Sequence, residues 1–207
     1  MGRNKIYAIV EGHGEAEAPT EGTQPAVTVL IAKLLQDLQC WTLFPAKKPP
    51  WRMRSSGDFF VPGKLESLVR AHTRYSDCAA LLVLLDMDDD CPKEQGTALA
   101  ERIRALEPLP FTVVVVCATR EYEAWFLASL ESIHPGHTYP GEAEAIRASS
   151  RHRSRHFDYR EARDQSAYTR GLDIVLAWEH SRSFQRLYHA FEQIMAALDA
   201  NQPTITP

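Results

Sequence analysis

Phe111 to Cys117 is an unbroken apolar and β-branched run with no polar alternation. A strand of that kind has no solvent face and belongs inside a parallel sheet covered on both sides. Ala79 to Asp86 has the same character, and shorter runs occur at Lys5 to Val10 and Cys40 to Phe44. The segments between them carry helical spacing. Val29, Leu30, Leu34, Leu35 and Leu38 follow Pro25, and Leu65, Leu68 and Val69 lie between Lys64 and Tyr75. Pro25 and Pro92 suit first helical turns, the second opening a helix through Leu106. Glu121 to Ile133, with Trp125, Phe126 and Leu127, reads as a fourth amphipathic helix. This alternation predicts an α/β fold with a mostly parallel, four-stranded sheet and helices on both faces. Pro45 to Gly63, rich in proline, reads as a surface loop.

The pattern changes after Ile133. A turn-rich stretch and an arginine-rich segment, Arg147 to Arg163, precede two helical patterns at Asp173 to Trp178 and Phe184 to Leu198. The predicted organisation is a core over 1–133, a helical appendage packed on it over 134–198 and a flexible tail over 199–207. A chain of 207 residues with 44% hydrophobic content suffices for one substantial core. The stripe Phe184, Tyr188 and Phe191 reads as packing, with a homodimer contact as the alternative.

Two acidic strand ends carry the chemistry. Glu11-Gly12-His13-Gly14-Glu15 follows the first strand, and Asp86-Met87-Asp88-Asp89-Asp90 follows the third. Open parallel sheets place their ligand sites at the carboxyl ends of the strands. Carboxylates gathered there repel one another, by about 4 kcal/mol per pair at ~4 Å and an effective dielectric of 20. A divalent cation with oxygen ligands, Mg²⁺ or Mn²⁺, is the simplest way to offset that cost. Period-two spacing puts Asp86 and Asp88 on one side of an extended chain. Asp90 belongs to the same cluster and is also placed to cap the helix at Pro92. The run is not a calcium-binding loop, because the glycine and bidentate glutamate positions hold Cys91 and Thr97.

The glutamate-glycine turn after strand one, followed by a strand-end Asp86-Met87-Asp88, resembles the Toprim fold of primases, topoisomerases and OLD-type nucleases. Glu11 to Glu15 looks like the OLD-type Glu-Gly-x-Thr-Glu turn, with Gly14 in place of Thr. The string Arg120-Glu121-Tyr122-Glu123-Ala124-Trp125-Phe126-Leu127-Ala128 resembles small bacterial Toprim-like proteins, often encoded beside a RecF-like or ABC-type ATPase. The resemblance extends, more thinly, to Asp164-Gln165 and Ser183-Phe184. It implies a Toprim-like, Rossmann-like core in which Asp86 and Asp88 hold Mg²⁺ or Mn²⁺. Glu11 would be a metal ligand or a general acid/base, and Glu15, Glu121 and Glu123 would complete a second metal position. Within a helix, Glu121 and Glu123 would not share a face, and Glu121, nearer the strand end, is the one expected at the site.

The implied activity is Mg²⁺-dependent phosphodiester chemistry on nucleic acid, DNA ahead of RNA, as a nuclease in bacterial defence or DNA repair. The alternatives are a non-catalytic partner subunit of a neighbouring ATPase and a phosphotransfer or nucleotide-processing enzyme. A net charge of −4 means that any nucleic-acid contact must use a local patch. Arg147, Arg151, Arg153 and Arg155 form the strongest basic cluster; Lys47 and Lys48, with Trp51, Arg52 and Arg54, form a second. The four scattered cysteines include no CxxC pair, which excludes a zinc ribbon. No apolar stretch approaches the ~20 residues of a membrane span. No signal peptide precedes the first strand, so the expectation is a cytoplasmic protein without membrane association.

Overall fold

The computed structural model describes residues 2–106, 108–145 and 159–207. Its strands are β1 (Lys5–Val10), β2 (Phe44–Pro45), β3 (Trp51–Arg52), β4 (Cys78–Asp86), β5 (Thr112–Ala118) and β6 (Ile205–Thr206). They form one sheet in the order β2-β1-β4-β5-β6, with β3 also pairing β1, and each of these pairings is parallel. The α/β class and the mostly parallel sheet therefore agree with the sequence pattern. The strand count does not: six strands stand where four were expected.

The pleat divides the apolar side chains between two cores. Ile6, Ala8 and Val10 of β1, Leu82 and Leu84 of β4, and Val114 and Val116 of β5 face one side. Tyr7 and Ile9, Leu81, Val83 and Leu85, and Val113 and Val115 face the other. A strand that feeds two cores reads as a continuous apolar run, which is why β4 and β5 show no alternation. On the first side pack α2 (Ala26–Asp37), α6 (Ala124–Ala128) and the final long helix. On the second pack α3 (Ser56–Phe60), α4 (Lys64–Ala71) and α5 (Pro92–Arg104). The remaining helices are α1 (His13–Ala16), α7 (Leu130–Ile133), α8 (Glu161–Gly171), α9 (Ile174–His180) and α10 (Arg182–Asp199).

Three expectations need correction. The loop over 45–63 contains β3 and α3, because residues 51–53 reach back to β1; Met53 N–H donates to Val10 O at 2.8 Å. The second strand is shifted, with Phe44–Pro45 rather than residues 40–44 in the ladder. The end of the chain is not frayed. Val113 N–H donates to Thr204 O at 2.8 Å, and the Arg104 guanidinium donates to Ile205 O at 2.9 and 3.2 Å. An open edge on β5 offered unpaired backbone groups, and the tail supplies the missing strand.

The C-terminal helices belong to the main core. Phe184 of α10 is fully buried with its ring 5.6 Å from that of Trp125, whose indole N–H donates to Ser183 Oγ at 2.9 Å. Phe184→Ala should therefore cost about 3–5 kcal/mol, as large-to-small changes in packed cores do. Urea unfolding followed by tryptophan fluorescence and by far-ultraviolet circular dichroism should show one shared transition. Two separate transitions would mean that the C-terminal helices fold as a unit of their own.

Candidate functional site

Parallel registry brings the carboxyl ends of β1, β4 and β5 together. Val10 pairs with Leu84, and Asp86 pairs with Ala118. The residues just beyond, Glu11 and the loop 119–123, therefore meet around Asp86. The Asp86 N–H donates to Glu11 Oε2 at 3.1 Å, and the Tyr122 N–H donates to Asp86 Oδ1 at 2.9 Å. Glu11 and Asp86, predicted from distant sequence positions, do share one sheet end.

Glu15, Glu121 and Glu123 are buried beside them. Both glutamates of the second pair reach the site, which corrects the expectation for only one. The reason is local: the helix starts at Ala124, and Glu121 to Glu123 lie in a tight turn where Glu121 N–H donates to Thr119 O at 3.0 Å. The rule that separates positions i and i+2 holds only inside a helix. The left-handed Arg120, at φ 69°, opens this turn.

The strand-end Asp-x-Asp does not stay extended. Met87 turns into the second core and Asp88 adopts φ 46°, a left-handed conformation that aspartate tolerates better than most residues. Its N–H donates to Arg120 O at 2.9 Å, while the Arg120 guanidinium pairs with Asp89. Asp86 and Asp88 thus do not project side by side from a continuous strand; Asp88 is exposed at the rim, though its charge still acts on Glu11. Asp90 is exposed and does not cap α5: Cys91 holds the N-cap position with no side-chain cap bond. Asp88, Asp89 and Asp90 line one side of a cleft of about 820 Å³ whose other side includes Ser181 and Arg182.

The C-terminal helices complete the site, a contribution the sequence reading missed. The Gln165 amide of α8 donates to Glu15 Oε1 at 2.6 Å, and the Tyr159 hydroxyl donates to Glu123 Oε1 at 2.8 Å. Glu161 Oε1 accepts from the N–H groups of His13 and Gly14 at 3.1 and 3.4 Å. The Tyr122 hydroxyl and Thr169 Oγ1 lie 2.9 Å apart. One signal for this was present: Gln165, Ser166 and Thr169 fall on one helical face, and a buried polar face must meet polar groups. Two glycines make room for these contacts. A Cβ on Gly12 would sit 1.7 Å from Glu15 Oε2, and one on Gly14 would sit 1.7 Å from Gln165 Oε1. Both of those oxygens are buried and have no hydrogen-bond partner among the described residues.

Crowding shows in the acidities. Burial raises Asp86 well above the usual carboxylate range, and Glu15, Glu123, Glu11 and Glu121 raise it further. Burial first, then neighbouring carboxylates, push Glu15 up to about 7 and Glu123 up to about 8. Glu11 is raised by burial, against the opposing pull of the Asp86 and Ser56 N–H groups. Among the described residues no three His, Cys, Asp or Glu side chains stand in an arrangement that would hold a metal ion. Lys47 and Lys48 are exposed in the loop between β2 and β3; Arg147, Arg151, Arg153 and Arg155 lie outside the described residues. Comparison with known protein families, with curated proteins and with solved structures finds no match for this chain.

Carboxylates with raised pKa values bind protons more readily folded than unfolded. Their contribution to stability is therefore greatest below their ordinary value of 4.5 and is lost as pH rises through about 7 to 8. Glu15→Gln and Glu123→Gln keep an acceptor for Gln165 and Tyr159 while removing a charge. In metal-free buffer each should leave the melting temperature nearly unchanged near pH 5. Near pH 8.5 each should raise it by roughly 5–10 °C, from about 2–3 kcal/mol of relieved burial cost and repulsion. A pH-independent effect would rule out ionisation of these buried carboxylates as its cause.

Proposed function

We propose that the chain is a Toprim-like, divalent-cation-dependent enzyme acting on the phosphodiester bonds of nucleic acid, with DNA as the favoured substrate. The observation that carries the reading is the junction of Glu11 and Asp86 at one sheet end, surrounded by Glu15, Glu121 and Glu123. These are hard oxygen donors with high mutual repulsion, and Glu15 Oε2 is a buried acceptor with no partner among the described residues. That chemistry fits Mg²⁺ or Mn²⁺ and not a soft metal. Asp86 would hold the cation, with Glu11 beside it as a second ligand or as a general base and Glu15, Glu121 and Glu123 around them; the described side chains would have to shift to do so, and Asp88, turned out to the rim, would contribute through its charge. When bound, such a cation polarises a phosphoryl oxygen and lowers the pKa of attacking water.

The chain's own groups supply the rest. The Asp86 N–H orients the Glu11 carboxylate, which in the general-base role would accept a proton from the attacking water. Gln165 and Tyr159 fix the Glu15 and Glu123 carboxylates from the side opposite the strands. Asp90 lies out on the cleft wall, so its role would be to shape the approach to the site and not to ligate. Arg120, held by Asp89, keeps positive charge at the rim next to Asp88. A role in bacterial defence or repair, and cooperation with a RecF-like or ABC-type ATPase, rest on the family resemblance alone.

Plasmid cleavage in Mn²⁺ tests this reading. Wild-type protein should nick or linearise the substrate, and Glu11→Gln should lower the rate by at least about a hundred-fold, the scale of a lost general base. Mg²⁺ or Mn²⁺ at ten times its dissociation constant should raise the melting temperature by roughly 3–6 °C, from about 1.4 kcal/mol of linkage. Asp86→Asn should remove that rise. A protein that cleaves neither DNA nor RNA, alone or with the partner ATPase, is better described as a non-catalytic subunit. Hydrolysis of free nucleotides without polymer cleavage would favour a nucleotide-processing enzyme.

A further inference from the structure

We propose that the outer edge of the sheet, along β2 and β3, is a track for single-stranded DNA that leads to the acidic sheet end. The proposal deepens the nucleic-acid reading above and rests on it for the direction of the track. β2 and β3 both flank β1: Phe44 lies opposite Lys5, Trp51 opposite Ile9 and Arg52 opposite Val10. Glu11 is the next residue after Val10, so a ligand lying on Trp51 and Arg52 is delivered to the Glu11–Asp86 junction.

The edge joins exposed aromatic surface to positive charge. Trp51 is 42% exposed, with part of its indole resting on His72 at 6.4 Å. Lys47, Lys48, Arg52 and Arg54 are all exposed around it. Lys48 Nζ lies over the Tyr75 ring at 4.0 Å, and Arg52 is held loosely by Glu17 at 3.5 Å. Lys47 and Lys48 also border a cleft of about 530 Å³ that opens beside the first turn of α2. Lysines and prolines on an edge strand have a protective use, since they discourage edge-to-edge pairing. That use accounts for Lys47, Lys48, Pro49 and Pro50. It does not account for a large exposed indole among them, which works against protection.

Indole and cations together match a nucleic-acid strand whose bases are free. Base faces in a duplex are covered by their neighbours, whereas an unpaired base can stack on Trp51 while its phosphates meet the lysines and arginines. Single-stranded DNA is the occupant, because the reading above takes DNA as the substrate and the stacking surface needs bases that are unpaired.

Fluorescence anisotropy with a labelled oligonucleotide of about 20 nucleotides, in EDTA, reads binding without cleavage. Single-stranded DNA should bind more tightly than the same sequence as duplex DNA or as RNA. Trp51→Ala should weaken it by about ten-fold, the scale of one lost stacking platform, and Trp51→Phe should restore most of that loss. Lys47→Ala with Lys48→Ala should lower the slope of log affinity against log salt by about 1.4, or ~0.7 per phosphate. Trp178→Ala, at an exposed indole on α9, should change nothing. Unchanged affinity in the Trp51 and lysine variants overturns the track, as does equal or tighter binding of duplex DNA or of RNA. Binding that depends on Trp51 in a protein that cleaves nothing leaves the track standing and removes the catalytic reading. Glu11-dependent cleavage with the edge variants fully active and fully bound removes only the track.

Discussion

Carboxylate crowding around Asp86 is the constraint on which the rest of the molecule turns. Five acidic side chains from three segments are packed at one sheet end, four of them largely or partly removed from water around a fifth. Such an arrangement costs free energy unless each charge finds a donor, a proton or a cation. The donors are backbone N–H groups at Asp86 and Tyr122 and side chains at Tyr159 and Gln165. The raised pKa values of Asp86, Glu15 and Glu123 mark a burial cost, and then a mutual repulsion, that these donors do not fully offset. A fold optimised for stability alone would gain nothing from keeping this cluster at a strand end.

Around that cluster the two halves of the chain depend on each other. The strand-end loops 86–90 and 119–123 are latched by the Asp88–Arg120 backbone bond and the Arg120–Asp89 ion pair. From the other direction α8 brings Gln165 against the Gly14 backbone so closely that a side chain there would collide. The C-terminal helices are thus a wall of the site as well as a cover for the sheet. Their removal would leave Glu15 and Glu123 without their side-chain donors and would expose the apolar surface over β5 and Trp125.

The fold was legible where packing is two-sided. Residues 79–86 and 111–117 declared themselves as buried parallel strands because both faces of each meet a core; α2 and α10 followed from apolar periodicity, and α5 from the proline at its first turn. β2, β3 and β6 were not legible at their true places. Each is two residues long, too short for any periodicity, and exists only because β1 and β5 offer unpaired edges. The helix after β5 starts later than expected for a related reason: Tyr122 N–H is held by Asp86, so helix begins only at Ala124, and it is interrupted again at Ser129.

The sequence by itself determined the α/β class, the parallel core strands and the acidic groups that stand at their ends, since strand direction puts Glu11 and Asp86 at the same sheet end; the pairing of β1 with β4 then makes them neighbours. Only the tertiary structure decided which carboxylates are buried and what holds them. Asp88 and Asp90 look equivalent to Asp86 in the sequence, yet a left-handed turn leaves both in water. Gln165 and Tyr159 reach Glu15 and Glu123 across 150 and 36 positions of the chain. Local periodicity encodes which face of an element is buried; it does not encode which distant donor meets an acceptor once the elements have packed.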